Sequence, residues 1–325
     1  SGSGTLGWDL AAVNLLEKGD DVLVLTTGYF GDSFAECIAT YGAQPTQVVA
    51  QVGSRPSEGE IENALKQKKY KAVTITHVDT STGILMDVEA VTKIVKRVCP
   101  DTLVILDGVC SVGSEEIHMD AWGIDYLLFA SQKGIGIPPG LSLSLASPRA
   151  MKTFESRSTP PAGFYTSWKK WLPVMKAYEA RTPAYFATPP TNLIYALHTS
   201  LKTMTEGPVS LAQRFEKHRE ASQRVKKGIE NLGLEQLAQP DSRQSGVANG
   251  MTAVRYPRGF KASDILPKMA QRGVVFGAGL HKDAKDEYFR IGHMGVSVVD
   301  PARKDVDVIL QKLEEALAEA GYQKQ

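Results

Sequence analysis

Four groups of residues have the types and spacing that chemistry needs. The first is Ser1-Gly2-Ser3-Gly4-Thr5, directly ahead of a helical pattern. A helix start offers unpaired N–H groups and the positive end of a dipole, and glycines let an anion approach the backbone. The run is either a phosphate cradle or a tight turn with a helix cap; it is neither GxGxxG nor a P-loop with its lysine. The second is Asp107, which closes the apolar run Thr102-Leu103-Val104-Ile105-Leu106 and precedes Gly108. A carboxylate there needs a partner. It can hold the protonated nitrogen of an aromatic ring, cap a helix, or bind a metal. The third is Ser131-Gln132-Lys133, after another apolar run and ahead of Gly134, Gly136 and Pro138-Pro139-Gly140. A lysine half-shielded in such a loop becomes a nucleophile that forms a Schiff base with an aldehyde; the plain alternative is an ordinary loop lysine. The fourth is Arg290, between Tyr288-Phe289 and Ile291-Gly292. Arginine takes a carboxylate bidentately, or it makes a surface salt bridge; the apolar flanks favour a buried strand and hence the ligand role.

The elements that must position these residues alternate in type. Helical spacing and start or stop signals predict helices over residues 5–18, 32–41, 57–69 and 87–98. Ser57-Glu58-Gly59-Glu60 matches a capping box. Short apolar or β-rich runs predict strands over 21–26, 47–52, 71–76, 102–106, 126–130 and 141–145. Continuously apolar strands alternating with helices argue for an α/β fold with a largely parallel sheet covered on both faces. Ligands sit beyond the carboxyl ends of such strands, where Asp107 and Lys133 fall. Residues 159–190 are proline-rich and irregular, with one helix near 167–179. Helices follow over 191–205 and 210–232. A strand near 251–256, a helix near 262–272, strands near Val274 and Tyr288, and a helix over 301–320 complete a smaller α+β unit. The expected division is a large domain, 1–205, and a small C-terminal domain, 206–325.

Composition excludes several classes. The chain is 42% hydrophobic and 22% charged with net charge +1, so nothing calls for nucleic acid or an anionic membrane. No apolar run is long enough to span a bilayer. Cys37, Cys99 and Cys110 form no CxxC pair, and the six histidines have no metal-ligand spacing, so no metal is expected and a reduced, intracellular protein is. The chain opens at Ser1 on a glycine-rich turn with no preceding strand or arm to position it. A further N-terminal segment, an arm of the large domain, is therefore expected, and no targeting signal is legible there. The C-terminal Gly321-Tyr322-Gln323-Lys324-Gln325 is not a peroxisomal SKL-type address, and the compartment stays open between cytoplasm, mitochondrion and peroxisome.

Taken in order, Ser1 to Thr5, Thr76-His77-Val78-Asp79-Thr80-Ser81-Thr82-Gly83, Asp107-Gly108-Val109-Cys110-Ser111, Ser131-Gln132-Lys133, Tyr185-Phe186-Ala187-Thr188-Pro189-Pro190 and Arg290-Ile291-Gly292-His293 form a specific set. With them the whole chain resembles the class V aminotransferases of fold type I, and among these the fungal alanine–glyoxylate enzymes. The resemblance implies a mostly parallel, seven-stranded-type sheet and pyridoxal 5′-phosphate (PLP) as cofactor. It implies Lys133 as the Schiff-base lysine and proton shuttle, and Asp107 on the pyridine nitrogen. Ser3, Gly4 and Thr5 would bind the phosphate with help from Gln132. Phe30 would stack on the ring, where many relatives carry tryptophan, and Val109 would pack on the opposite face. Thr80 would bond the phenolic oxygen, and Arg290 would grip the substrate α-carboxylate. Tyr185 and Thr188 match residues that reach the phosphate of a neighbouring subunit, which implies a homodimer with a shared active site.

The implied reaction moves an amino group from L-alanine to glyoxylate, giving pyruvate and glycine with ping-pong kinetics. Serine–pyruvate or serine–glyoxylate transamination is the near alternative, since methyl-scale discrimination is energetically small. Cysteine desulfuration would need a mobile cysteine late in the chain, which is absent. A non-catalytic member of the fold is the third reading. His77 and His293 are expected to satisfy local hydrogen bonds rather than catalyse. Trp8, Trp168 and Trp171 are expected in packing or interfaces, and residues 217–227 as one solvated helix face.

Overall fold

The computed structural model describes residues 1–240 and 246–324. Along the chain, α1 (Leu6–Leu15) leads to β1 (Asp21–Thr26), α2 (Tyr29–Thr40) to β2 (Gln44–Val49), and α3 (Glu58–Leu65) to β3 (Ala72–Thr76). A short antiparallel pair, β4 (Val78–Asp79) and β5 (Ile84–Leu85), precedes α4 (Val88–Val98) and β6 (Leu103–Asp107). Then come α5 (Met119–Trp122), β7 (Tyr126–Ala130), β8 (Ser142–Ala146), α6 (Pro148–Glu155), α7 (Trp168–Glu179) and α8 (Thr191–Glu206). The last part comprises α9 (Leu211–Asn231), β9 (Met251–Arg255), α10 (Ala262–Gln271), β10 (Gly277–Ala278), β11 (Tyr288–Gly292), α11 (Val296–Val299) and α12 (Asp305–Glu319).

The main sheet has the order β2-β1-β3-β6-β7-β8, parallel except for the antiparallel β7–β8 pair. The α/β reading of a mostly parallel sheet holds; among the described residues the sheet numbers six strands against the seven of the implied type. Its strands alternate sides with period two. Val22, Val24, Leu103 and Ile105 pack with Trp8, Ala11, Phe34 and Ile38 of α1 and α2. Leu23, Leu25, Val104 and Leu106 pack with Ile61, Leu65, Val91 and Val95 of α3 and α4. Burial on both faces is why these strands read as unbroken apolar runs. Later in the chain, α9, α10 and α12 cover the antiparallel sheet β10-β11-β9 around Val225, Ile265, Phe289 and Leu313. A fourth cluster joins Val78 and Cys110 of the first half to Met251, Ala253 and Tyr288 of the second. Among the described residues no helix is long and apolar enough to cross a membrane.

Element limits depart from the sequence reading where local signals are weak. β2 begins three residues earlier than expected, because an edge strand of Gln44, Pro45 and Thr46 carries little apolar signal. The strand expected at Val274 lies at Gly277–Ala278, and Val275 is 84% exposed. The last helix starts at Asp305 rather than 301. Helix α6 was missed although Ser147 caps it and Pro148 opens it. The solvated face expected over 217–227 is corrected: His218 is buried, and Lys226 Nζ donates to Ser222 Oγ at 2.7 Å and Ala248 O at 2.8 Å. The Ser57 capping box and the Asp87 cap are present.

Candidate active site

Asp107 is the last residue of β6, in register with Thr76 of β3 and Leu128 of β7. Lys133 follows the end of β7 in a loop that Ser131 closes: its hydroxyl donates to Pro138 O at 2.8 Å and accepts from Leu141 N at 3.2 Å. Helix α1 crosses the ends of these strands because its first residues are small. A Cβ on Gly4 would lie 2.7 Å from Val109 Cγ2, and one on Gly7 would lie 2.8 Å from Leu128 Cβ. This close approach sets Ser3, Gly4 and Thr5 beside Asp107 and Lys133. The result is a cavity of about 230 Å³ lined by Ser3, Gly4, Thr5, Phe30, Thr80, Asp107, Val109, Gln132 and Lys133. Trp8, Thr76, Val78 and Cys110 complete it. The sequence reading did not assign them to the site. Trp8 stands one helical turn after Gly4, a spacing that would have placed it on the same face.

Asp107 is only 3% exposed, and both its oxygens accept hydrogen bonds. Trp8 Nε1 donates to Oδ2 at 2.7 Å and Val109 N donates to Oδ1 at 2.9 Å. Burial nevertheless pushes the carboxyl up to about 6, against the opposing pull of these two donors. Trp8 is itself fixed by stacking on Phe34 and meets Phe30 edge-on at 6.4 Å. Replacing Trp8 with phenylalanine keeps an aromatic ring but removes a donor to an anion. We expect Trp8→Phe to lose about 1.5–3 kcal/mol of stability at pH 7.5, and less at pH 5, where Asp107 holds a proton and the bond joins neutral groups. Urea unfolding at the two pH values reads this, and equal losses at both would refute the assignment.

A second buried carboxylate supports the opposite wall. Asp79 Oδ1 accepts from Ser81 N at 2.9 Å and from the Ser81 hydroxyl, and Oδ2 accepts from Gly31 N at 3.4 Å. Ser81 Oγ also accepts from Tyr29 N at 2.9 Å. These contacts hold the first turn of α2, which carries Phe30, and they explain why the helix begins at Tyr29 and not at residue 32. Its cap comes from residues some fifty positions away. Burial raises the Asp79 carboxyl above the ordinary range, and burial also raises the Cys110 thiol, which keeps it protonated.

Arg290 lies in the middle of β11, opposite Ala253 and Gly277. Its Nε donates to Ala278 O at 2.8 Å and its Nη1 to Thr80 O at 3.3 Å, so the guanidinium sits against a residue of the cavity wall. Among the described residues no carboxylate pairs with it, and burial lowers its pKa. Tyr185 and Thr188 lie elsewhere. Tyr185 is 76% exposed, its hydroxyl bonds that of Thr188 at 3.3 Å, and neither lines the cavity of its own chain. Histidine 77 corrects an expectation: its Nδ1 is buried without a partner. His293 meets Thr252 Oγ1 at 2.8 Å through Nε2, while its Nδ1 is also unpartnered. Burial pushes His77 down to about 4 and His293 to about 3, so both rings are neutral near pH 7.

The described residues fit a flat ring that carries an anionic group and a protonated nitrogen. The Thr5 side chain makes no cap bond to α1, so its hydroxyl and the helix N–H groups can donate to an anion, and Asp107 is a buried acceptor with no cation paired to it at salt-bridge distance. Comparison with known proteins gives this arrangement a context. The family profile described as Aminotransferase class-V matches residues 1–287. The alanine–glyoxylate aminotransferase 1 of Saccharomyces cerevisiae is 43% identical over 304 residues, covering 91% of this chain and 77% of its own. The crystal structure of alanine–glyoxylate aminotransferase from Nostoc sp. is 28% identical with a TM-score of 0.88, over 98% of this chain and 80% of that one. The ureidoglycine–glyoxylate aminotransferase of Bacillus subtilis is 26% identical with a TM-score of 0.87, over 100% and 80%.

Proposed function

The chain belongs to the class-V aminotransferases, and on that premise we propose that it moves an amino group from L-alanine to glyoxylate with PLP as cofactor. The observation that carries the reading is one cavity holding a buried carboxylate and a lysine at the ends of neighbouring strands, beneath the uncapped start of α1. PLP, when bound, supplies an aldehyde that captures the amine and a ring that withdraws electrons from the substrate α-carbon. In this chain Asp107 is the group that would hold a proton on the ring nitrogen. The first turn of α1, with the Ser3 and Thr5 hydroxyls and Gln132, would bind the phosphate. Phe30 and Val109 would bracket the ring, and Thr80 would bond its phenolic oxygen. Lys133 Nζ would take the proton from the donor α-carbon, general-base work for an amine in a half-buried loop. The Arg290 guanidinium, poorly solvated and unpaired with any carboxylate among the described residues, would orient the substrate by its α-carboxylate.

The choice of substrates rests on the relatives. Glyoxylate is named for all three and alanine for two. Serine remains the runner-up donor, because an added hydroxyl is a small change for a pocket to reject. We further propose that the working form is a homodimer. Tyr178, Tyr185, Ile194 and Tyr195 are each exposed on the single chain, on the face that presents the hydrogen-bonded Tyr185 and Thr188 hydroxyls. Association across this face would bring them toward the partner's phosphate site.

The test is a single-turnover spectrum of the purified, PLP-loaded protein with L-alanine, after sedimentation to establish its mass. The expected result is a dimer whose visible cofactor band disappears with one pyruvate per chain and returns on adding glyoxylate. A coloured protein that ignores L-alanine but responds to L-serine moves the donor. A protein that takes up no PLP refutes the proposal.

A further inference from the structure

The N-terminal half of α9 carries two buried polar side chains, one helical turn apart, that the proposed chemistry does not use. Arg214 is 8% exposed; its Nε donates to Gly113 O at 2.9 Å and its Nη2 to Gly134 O at 2.5 Å. Among the described residues no carboxylate pairs with it, so a buried guanidinium is held by two backbone carbonyls. Those carbonyls belong to the loops that follow Asp107 and Lys133. The loops already touch: a Cβ on Gly134 would lie 2.4 Å from Val112 O and 3.1 Å from the carbonyl carbon of Gly113. Glycine is required at this crossing, and Arg214 closes over it.

His218 continues the pattern. It is fully buried, with Nδ1 2.7 Å from Arg214 O and Nε2 3.0 Å from Gly295 N. A carbonyl on one side and an N–H on the other assign the tautomer: Nδ1 carries the proton and Nε2 accepts. Gly295 lies just beyond β11, the strand of Arg290, and takes a left-handed φ of 69°. A Cβ there would lie 3.9 Å from Lys133 O. The three segments that follow Asp107, Lys133 and Arg290 therefore meet under one turn of α9.

We propose that Arg214 and His218 are positioning residues that lock these three segments into one unit and so hold Lys133 Nζ in register with the substrate α-carbon. The inference rests on the proposed aminotransferase site and goes beyond it by assigning two residues outside the cavity. The physical reason is the fork of the guanidinium, which satisfies two carbonyls on different loops at a fixed separation. A lysine reaches one of them and leaves the other unpaired. The loops then gain freedom at the point where an ångström of misplacement costs up to about a hundredfold in rate.

The test compares wild type, Arg214→Lys and His218→Phe, which keeps a ring but deletes both bonds, as PLP-loaded dimers. Turnover of L-alanine with glyoxylate, per bound cofactor, is expected to fall roughly 10- to 100-fold with KM nearly unchanged. Amide hydrogen exchange of residues 131–140 should quicken while that of β1 stays the same. Turnover per bound cofactor equal to wild type in Arg214→Lys, whatever its thermal stability, overturns the inference. Should that variant not fold, His218→Phe decides by the same two readings. A wild type that binds PLP but ignores L-alanine sinks the substrate reading alone. The exchange rates and the pH dependence of the bound cofactor's visible absorbance then test the clamp without substrate, and values unchanged in both variants overturn it.

Discussion

Replacing Lys133 with alanine is expected to cut turnover by roughly 10³- to 10⁴-fold while PLP still binds. Both halves of that result follow from the cavity. Among the described residues that line the cavity, Lys133 carries the one amine, and no other side chain there is free to move a proton at the substrate α-carbon. Cys110 is held protonated by burial, and Asp107 is occupied by Trp8 and Val109. Binding survives because the start of α1 and Gln132, which would take the phosphate, do not depend on Lys133. The variant should release its cofactor on dialysis, which a covalently held cofactor resists, and a small primary amine in the buffer should restore part of the rate. Lys133→Ala activity within tenfold of wild type would place the base elsewhere.

Asp107→Asn is expected to lower turnover by roughly 10²- to 10³-fold, as loss of a buried electrostatic partner does. It should also change how the cofactor-free protein responds to pH. Burial raises this carboxyl from 3.8 to about 6. Between those values the native state binds more protons than the unfolded chain, so stability falls as pH rises through the window. Fully developed above about pH 6, the loss is about 3 kcal/mol. Asparagine does not titrate. It faces either the Trp8 or the Val109 donor with an NH₂ group, which costs a constant offset of about 1–3 kcal/mol and leaves the slope unaffected. Urea unfolding of both cofactor-free proteins at pH 4, 5, 6 and 7 should therefore show curves that diverge by about 3 kcal/mol in the variant's favour as pH rises. Parallel curves would mean that Asp107 is not the buried group titrating there. With PLP bound the wild-type loss should shrink, because a cation beside Asp107 offsets its desolvation.

Much of this was legible in the residues. Unbroken apolar runs and period-3.6 patterns marked most of the first-half strands and helices, because a strand buried on both faces has no polar position to interrupt it. Turn chemistry marked the Ser57 and Asp87 caps. The gathering of Ser3, Phe30, Asp107 and Lys133 in one cavity agrees with a rule that needs no side-chain detail, since loops after parallel strands emerge on one edge of the sheet. Edges were less legible: β2 is a half-exposed edge strand and β10 has only two residues, so their apolar signal is weak.

The sequence by itself determined the alternation of the longer strands and helices, though not the short elements β4, β5, α5, α6 and α11, and placed Asp107 and Lys133 at strand ends. These depend on neighbours within a turn or a pleat. Only the tertiary structure decided what holds those residues. Trp8 and Asp107 are 99 positions apart, Arg214 and Gly113 are 101 apart, and Arg290 and Thr80 are 210 apart. Such pairs form because α1 crosses β6, because α9 caps two glycine loops, and because β11 lies beside the end of β4. Each is a donor meeting an acceptor across elements whose separation is set by packing, and no periodicity along the chain records which donor that will be.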